Sequence, residues 1–509
     1  VFNATHITKY YGAQTVLSDV SFSIGAGEHV GLVGRNGSGK STLLRILAGV
    51  EGTDKGGIQS TRRNLSVGYV PQFGEFASDS TMLEAAMEGL PPTVPLWQAR
   101  KALFGLGFRE EQLDQTTSTL SGGQKTRLLL ARALVGEHDL LLMDEPTSHL
   151  DIEMIRWLET FLAGYSGAYL IASHDRRFLD RTVRRIIEVE NQGIHEYSCG
   201  YSAYAEAKRA ALERQKEDYI LQQKQIRSLK EFVSRQMGWA AATQGGLKRG
   251  RDQRGRISEK MAKRAHAAER RIEQMAVVAK PRDEHHLSAR LQPSGRGGHI
   301  VFEAKDLAKS FSDKPLFTDV NLTVTYGERI GLIGANGAGK TTLLRVLLGQ
   351  ETSTQGMVRT GASLEPLFLA QEHEQLDAMG TVLDAVQQAG GLTHTEARTL
   401  LACFLFRQDE VFKRVGDLSG GERARLAAAT AVVTGSNLLV LDEPTNHLDI
   451  DTRERLEDAL EAYSGTLIVV SHDRSLLDKL ANRLWIIEEG KITDFAGRYC
   501  DWEETGALV

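Results

Sequence analysis

The sequence predicts an α/β fold built twice, with the two copies joined by a long antiparallel helical hairpin. Three observations carry this. The run Gly34-Arg-Asn-Gly-Ser-Gly-Lys40-Ser41 returns as Gly334-Ala-Asn-Gly-Ala-Gly-Lys340-Thr341, and both fit the phosphate-cradling pattern G-x-x-x-x-G-K-[ST]. The later landmarks repeat at a nearly constant offset: 300 residues from Lys40 to Lys340, 299 from Gln72 to Gln371, and 298 for Ser121 to Ser419, Asp144 to Asp442 and His174 to His472. A repeat this long is a duplicated domain and not a solenoid. Between the copies, apolar residues recur at the spacing of a helical seam.

Each copy alternates short apolar runs with helix-forming runs, the pattern of a mostly parallel sheet flanked by helices. In the first, Val30–Gly34 feeds the glycine-rich turn, and Thr42–Ala48 reads as the helix whose N-terminus faces phosphate. Asp139–Asp144 and Ala168–Ser173 read as further buried strands. In the second, Arg329–Gly334, Leu438–Asp442 and Thr466–Ser471 play the same parts. The helix-forming runs Lys125–Leu134 and Arg423–Ala431 follow Ser-Gly-Gly in both copies. From loop lysine to Ser-Gly-Gly is 81 residues in one copy and 79 in the other, so neither carries a large private insertion there.

The connecting region has its own pattern. Leu212, Tyr219, Ile226 and Val233 are seven apart, and Met261, Ala265, Ala268, Ile272 and Met275 are spaced 4, 3, 4, 3. These seams predict helices over about 203–237 and 257–279, with a Gly/Arg-rich tip at about 238–256. The domain boundaries expected are 1–199 for the first copy, 200–298 for the hairpin and its return linker, and 299–509 for the second copy.

Charge separates the same three parts. The 509-residue chain has a formal net charge of −5, yet residues 205–282 hold 20 Lys and Arg against 9 Asp and Glu. A basic segment between acidic domains points to a polyanionic partner. No run of 18 apolar residues exists, which argues against a membrane span and a membrane partner. Three widely separated cysteines, Cys199, Cys403 and Cys500, give neither a metal-ligand spacing nor a disulfide framework and suit a reducing cytoplasm.

The motifs specify a chemistry. In each glycine-rich loop (Gly34, Asn36, Gly37, Gly39; Gly334, Asn336, Gly337, Gly339) backbone N–H groups would cradle phosphates, with Thr42 and Thr342 following in the helix. Lys40 and Lys340 would reach the β and γ phosphates, and Ser41 and Thr341 would hold Mg²⁺. Asp144-Glu145 and Asp442-Glu443 each close an apolar strand, where ligand chemistry sits in a parallel sheet. The first carboxylate suits Mg²⁺, and the second can orient or deprotonate a water. Ser121-Gly122-Gly123 and Ser419-Gly420-Gly421 precede helices and form anion-binding ends, though each serine also suits a plain N-cap. His174 and His472 sit in Ser-His-Asp-Arg. The contiguity rules out a hydrolase triad, and a γ-phosphate sensor fits better.

Taken in order, phosphate loop, Gln72 or Gln371, Ser-Gly-Gly, Asp-Glu and His resemble the ATP-binding-cassette (ABC) ATPases, so the expected architecture is two tandem ABC-type P-loop ATPase domains. Two such domains with a basic hairpin between them, entered through Gly200-Tyr-Ser-x-Tyr204, resemble the F subfamily, whose members are ribosome-associated translation factors. The resemblance implies ATP and Mg²⁺ as cofactors, with Gln72 and Gln371 joining the Mg²⁺ ligands, and Tyr11 and Phe311 at the position that stacks adenine. It implies a monomer closing on itself as a head-to-tail sandwich. Ser419, Gly420 and Gly421 would complete the site of Lys40, and Ser121, Gly122 and Gly123 that of Lys340. Ser148 stands where the second copy has Asn446, and Gln124 where it has Glu422; neither change removes a group the chemistry needs.

The resemblance further implies large-subunit rRNA and tRNA as partners, with the hairpin reaching toward the tRNA exit site and the peptidyl-transferase centre. Arg235, Trp239, Lys248, Arg249, Arg251, Arg254, Arg256, Lys260, Lys263 and Arg264 are the candidate RNA contacts: cations for phosphates, the indole for an exposed base. A tip lengthened beyond the seams resembles the members that protect ribosomes from antibiotics. A general translation factor is the alternative within the class. A transporter ATPase subunit would need a separate membrane partner and leave the basic hairpin unexplained. A DNA-repair ATPase would need zinc modules that the cysteine spacing does not offer.

Overall fold

The computed structural model describes all residues except 1, 61–64, 73, 75, 77–79, 245–250, 276–297, 312–313, 371–378, 405, 407, 447 and 506–509. Two compact units result: one comprises Val1–Tyr201 with His285–Val509, the other Ser202–Glu284. Both copies of the repeat thus lie in one unit, as two lobes.

In the N-terminal lobe a six-stranded sheet runs Val67–Val70, Leu140–Asp144, Ala168–Ala172, His29–Val33, Arg185–Glu190, Gly193–Tyr197. The first five strands are parallel and the last is antiparallel. Leu140–Asp144 and Ala168–Ala172 are buried at every position, which explains why they read as unbroken apolar runs and not as alternation. A three-stranded antiparallel sheet (Gln14–Ile24, Phe2–Tyr11, Lys55–Ser60) packs Phe2, Ile7, Leu17 and Phe22 against the same core.

The C-terminal lobe repeats this order: Pro366–Leu369, Leu438–Asp442, Thr466–Val470, Arg329–Gly334, Arg483–Glu488, Lys491–Phe495, beside Lys314–Thr325, Ile300–Phe311 and Gln355–Thr360. In both lobes the glycine-rich loop, the Asp-Glu pair and the histidine leave the carboxyl ends of three adjacent parallel strands. The order of the sheet, and not the sequence, therefore brings the three motifs together.

The second unit contains helices Tyr201–Gln244 and Arg251–Gln274. At the predicted seam positions Ala265 and Ala268 are buried, and Leu212, Tyr219, Ile226, Val233, Met261, Ile272 and Met275 are half-buried. The predicted tip needs correction. Gly238–Gln244 and Arg251–Arg256 belong to helices, and 245–250 lie outside the described residues. Gly238 is in open space. An exposed helical glycine costs only about 1 kcal/mol relative to alanine, and the Ala240–Ala242 run after Trp239 favours helix continuation. Among the described residues, no helix is long and apolar enough to cross a membrane.

Candidate active site

Each phosphate loop is a turn between a buried strand and a helix, and its glycines answer to geometry. Gly34 has φ 152°, and a Cβ there would lie 2.6 Å from the Val189 carbonyl oxygen. Gly39 has φ 105° and caps the helix Lys40–Leu47; Gly334 and Gly339 repeat both features. Side chains are excluded there, so the helix N-terminus presents bare N–H groups, the arrangement that binds anions.

Lys40 is buried. Its Nζ donates to the carbonyls of Gly34 at 2.6 Å and Arg35 at 3.0 Å. Lys340 does the same with Gly334 at 2.7 Å and Ala335 at 3.1 Å. Thr341 Oγ1 donates to Asp442 Oδ2 at 2.6 Å, and Ser41 hydrogen-bonds Asp144. Each hydroxyl named as a Mg²⁺ ligand therefore lies against the carboxylate named with it. Gln72 lines the first cavity; Gln371 lies outside the described residues.

Glu145 and Glu443 follow those aspartates in the left-handed region, at φ 51° and 52°. Such φ values are uncommon for non-glycine residues and cluster at functional sites. Glu145 Oε2 accepts the His174 backbone N–H at 3.3 Å, and Oε1 lies 3.5 Å from His174 Nε2. Glu443 relates to His472 in the same way, at 3.3 Å for both contacts. Burial pushes the Glu145 carboxyl up to about 7, against the pull of Lys40 and Arg453. Burial likewise pushes Glu443 up to about 8, against Lys340. Burial first, then the nearby lysine, holds both imidazoles well below their usual range, so they are neutral at pH 7.

A carboxyl must be charged to take a proton from water, and a raised pKa delays that charge to higher pH. For the free enzyme, kcat/KM for ATP is therefore expected to rise with pH through about 7 to 8 instead of levelling near 4.5. The same shift makes Glu145 contribute less stability as pH rises from 4.5 to about 7, because the folded state binds the extra proton. A pH–rate profile flat from pH 5.5 to 9 would remove both carboxyls from the chemistry.

The two lobes meet head to tail, and each cavity draws on both. One, of about 590 Å³, is lined by Asn36, Gly37, Gly39, Lys40, Ser41, Thr42, Gln72, Asp144, Glu145 and His174 of the N-terminal lobe. Ser419, Gly420, Gly421, Glu422 and Arg425 face them from the other. The second, of about 480 Å³, joins Asn336, Gly337, Gly339, Lys340, Thr341, Thr342, Asp442, Glu443 and His472 with Ser121, Gly123, Gln124 and Arg127. Gly122 is not in its lining. Asp449 Oδ2 accepts the Asn36 N–H at 3.3 Å, and Asp151 Oδ2 accepts the Asn336 N–H at 3.1 Å. Both serines also cap their helices, Ser121 Oγ accepting from the Gln124 N–H and Ser419 Oγ from the Glu422 N–H. The cap and anion-site readings are thus compatible.

Phe311 lines the second cavity, but Tyr11 does not line the first. Its hydroxyl donates to Glu51 Oε1 at 2.6 Å, and Val16 occupies the wall instead. Sequence reasoning missed Asp151, Asp449, Arg127, Arg425 and Arg453. The repeat offset of 298 pairs the first four as Asp151 with Asp449 and Arg127 with Arg425, which is the signal that could have found them. In the helical unit, Arg235, Trp239, Arg256, Lys260, Lys263 and Arg264 are exposed. Lys263 pairs with Glu259 at 2.7 Å. Arg251 and Arg254 lie on the second helix; Lys248 and Arg249 lie outside the described residues.

Two lobes facing each other through phosphate loops and Ser-Gly-Gly helices define an ATP hydrolase of the ATP-binding-cassette class. The family described as ABC transporter matches residues 17–148 and 317–446, and a second family of the same description matches 187–289. The chain belongs to the F family of ATP-binding-cassette proteins. It is 35% identical to ABC transporter F family member 5 of Arabidopsis thaliana over 97% of this chain and 76% of that protein. It is 36% identical to the ATP-binding protein YdiF of Bacillus subtilis over 98% of this chain and 82% of that one. Among solved structures, an RNase-L inhibitor matches with a TM-score of 0.64 at 20% identity, covering 97% of this chain and 90% of that one. An archaeal ribosome recycling factor, solved with a ribosomal stalk protein, matches at 0.65 and 20% identity, covering 99% and 92%. At such identities the likeness is one of fold.

Proposed function

We propose that this chain is a ribosome-binding ATPase in which two composite sites each take ATP with Mg²⁺. The observation that carries the ribosome reading is the basic helical unit. Residues 205–282 bring 20 cations against 9 anions into a chain of net charge −5, and its cations between Arg235 and Arg264 are exposed wherever their side chains are described. Such a surface suits the phosphates of rRNA and tRNA, and membership of the F family gives it a context.

In each site the loop N–H groups and Lys40 or Lys340 would hold the phosphates. Ser41 with Asp144 and Gln72, and Thr341 with Asp442 and Gln371, would hold Mg²⁺. Among the described residues no cluster of three or more His, Cys, Asp or Glu forms a metal site. This suits Mg²⁺, which binds through one or two protein oxygens together with substrate phosphates. Glu145 and Glu443 would take the proton of the attacking water, with His174 and His472 beside the γ-phosphate. Ser-Gly-Gly from the opposite cassette would complete each site, so that ATP favours the closed sandwich. The domain boundaries proposed are 1–199, 200–298 and 299–509, the middle one an antiparallel hairpin. At about 1.5 Å per residue, a 44-residue helix is about 65 Å long. That reach suits placement from the tRNA exit site toward the peptidyl-transferase centre, and protection against antibiotics bound there.

Ribosome co-sedimentation tests the core of this reading. Binding in ATP is expected to fall steeply with salt, because each phosphate that the protein neutralises releases counterions. Replacing Lys248, Arg249, Arg251, Arg254 and Arg256 with Ser should flatten the slope of log affinity against log salt by roughly 0.7–0.9 for every phosphate no longer neutralised. An unchanged slope would mean these cations are only solvated. The finer reading has its own test. Replacing 238–256 with a four-residue Gly/Ser turn leaves both seams and every cassette motif intact. ATP hydrolysis should persist, and resistance to large-subunit antibiotics in a sensitive host should disappear. A full-length chain that protects against none of these drugs leaves the general translation-factor reading in place.

A further inference from the structure

We infer that Arg453 is a positioning residue for the first nucleotide site, holding the His174 loop from across the cassette interface, and that among the described residues no such group serves the second site. The inference rests on the composite-site reading above. Arg453 lies on the helix Ile450–Ala462 of the C-terminal cassette. Its Nη1 donates to the carbonyl of His174 in the N-terminal cassette at 3.1 Å, and lies 3.4 Å from Asp473 Oδ2. Its Nε donates to the Leu448 carbonyl at 3.0 Å, which fixes the guanidinium against its own Asp449 turn. The side chain is 14% exposed and lines both cavities.

The His174 peptide is thereby held on two sides. Its N–H donates to Glu145 from within the cassette, and its carbonyl accepts from Arg453 across the interface. A charge-assisted hydrogen bond from a largely buried guanidinium is among the stronger polar contacts available. The repeat offset of 298 places Ile155 at the matching position of the N-terminal cassette. Ile155 is buried in the wall of the second cavity and has no polar group to offer His472. Within the first site Asn36 Oδ1 also lies 3.1 Å from His174 Nε2. Thus His174 is braced by Asn36 and Arg453, while His472 meets Lys340 Nζ at 3.5 Å and Glu443. A guanidinium that also touches Asp473, next to His472, ties the two histidine loops to each other.

The test is single-turnover ATP hydrolysis by the full chain, with both sites loaded and a chase of unlabelled nucleotide. Arg453→Ile copies the residue of the other cassette and is expected to slow about half of the amplitude roughly tenfold or more, the range for a buried charged hydrogen bond. In a Glu443→Gln background, where the first site turns over, kcat should fall by that factor with KM for ATP changed less than about threefold. In a Glu145→Gln background the reduction should be at most about threefold. Arg453→Lys, which keeps a donor for the His174 carbonyl, should recover most of the rate. A uniform slowing of the whole amplitude, or equal reductions in both backgrounds, assigns Arg453 to interface stability and overturns the inference. So does an Arg453→Ile protein that folds and hydrolyses at the parent rate. Turnover surviving in the Glu145→Gln, Glu443→Gln double variant would instead sink the underlying site assignment.

Discussion

Glu145→Gln combined with Glu443→Gln is expected to lower ATP turnover by roughly 10²–10⁴-fold, the range for removal of a positioned general base, while ATP binding persists. The reasoning is local. Each carboxylate is buried, and its Oε2 already accepts a backbone N–H from the histidine of its own cassette. A glutamine carbonyl keeps that bond, so the left-handed backbone at φ 51° and 52° need not move. The amide cannot take a proton. It is in effect a carboxyl locked in its protonated form, so whatever turnover remains should also lose the dependence on pH expected between about 7 and 8. The trapped, ATP-loaded chain should sediment with ribosomes more completely than the parent. Parent-level hydrolysis by the double variant would remove these residues from the proposed mechanism.

Much of the fold is legible in the sequence because the strongest signals are local. An apolar run entering Gly34-x-x-x-x-Gly39-Lys40 can be read without knowing its neighbours, and a second copy at constant offset turns a motif into a domain. The composite character of the sites is legible only through resemblance. Nothing in the sequence around Ser419 says that it faces Lys40. Among the residues that sequence reasoning misses, Asp151, Asp449 and Arg453 act on the other cassette, and Arg474 and Glu159 do the same. The Arg474–Glu159 pair spans 315 positions, and no periodicity or spacing rule addresses such a partner. Tyr11 stands outside the first cavity's lining for a different reason. Its hydroxyl is held by Glu51, a partner 40 positions away that sequence position does not reveal. The first helix runs past Gly238 to Gln244 because a single exposed glycine does not break a helix when the alanines after it favour continuation.

The largest stability effect is expected from Glu159. Arg474 is fully buried, with side-chain exposure of 0%, and lies at the start of the helix after His472-Asp473. Its Nη2 donates to Glu159 Oε1 of the other cassette at 2.6 Å and lies 3.6 Å from Asp175 Oδ2. Arg176 makes the reciprocal contact with Glu457, supported by Glu454. The two pairs therefore clamp the interface at pseudo-equivalent points, each one residue from the Asp of a Ser-His-Asp run. Removing one partner of a buried pair strands the other charge, at a cost of about 3–5 kcal/mol. Glu159→Ala should therefore lower the denaturation midpoint sharply, more so because Arg474 Nε and Nη1 have no hydrogen-bond partner among the described residues. Replacing both residues with methionine should recover part of that stability, since the pair is removed as a unit, while Asp175 and Arg181 each lose one of their charged partners. That contrast separates the cost of an orphaned arginine from the net worth of the bridge. A Glu159→Ala effect below about 1 kcal/mol, the range of exposed ion pairs, would mean that water reaches Arg474 and that the clamp is not buried in solution. If the clamp is as tight as its burial implies, Glu159→Ala should also slow ATP turnover in the protein that remains folded, because the same helix carries the turn that places His472 beside Glu443.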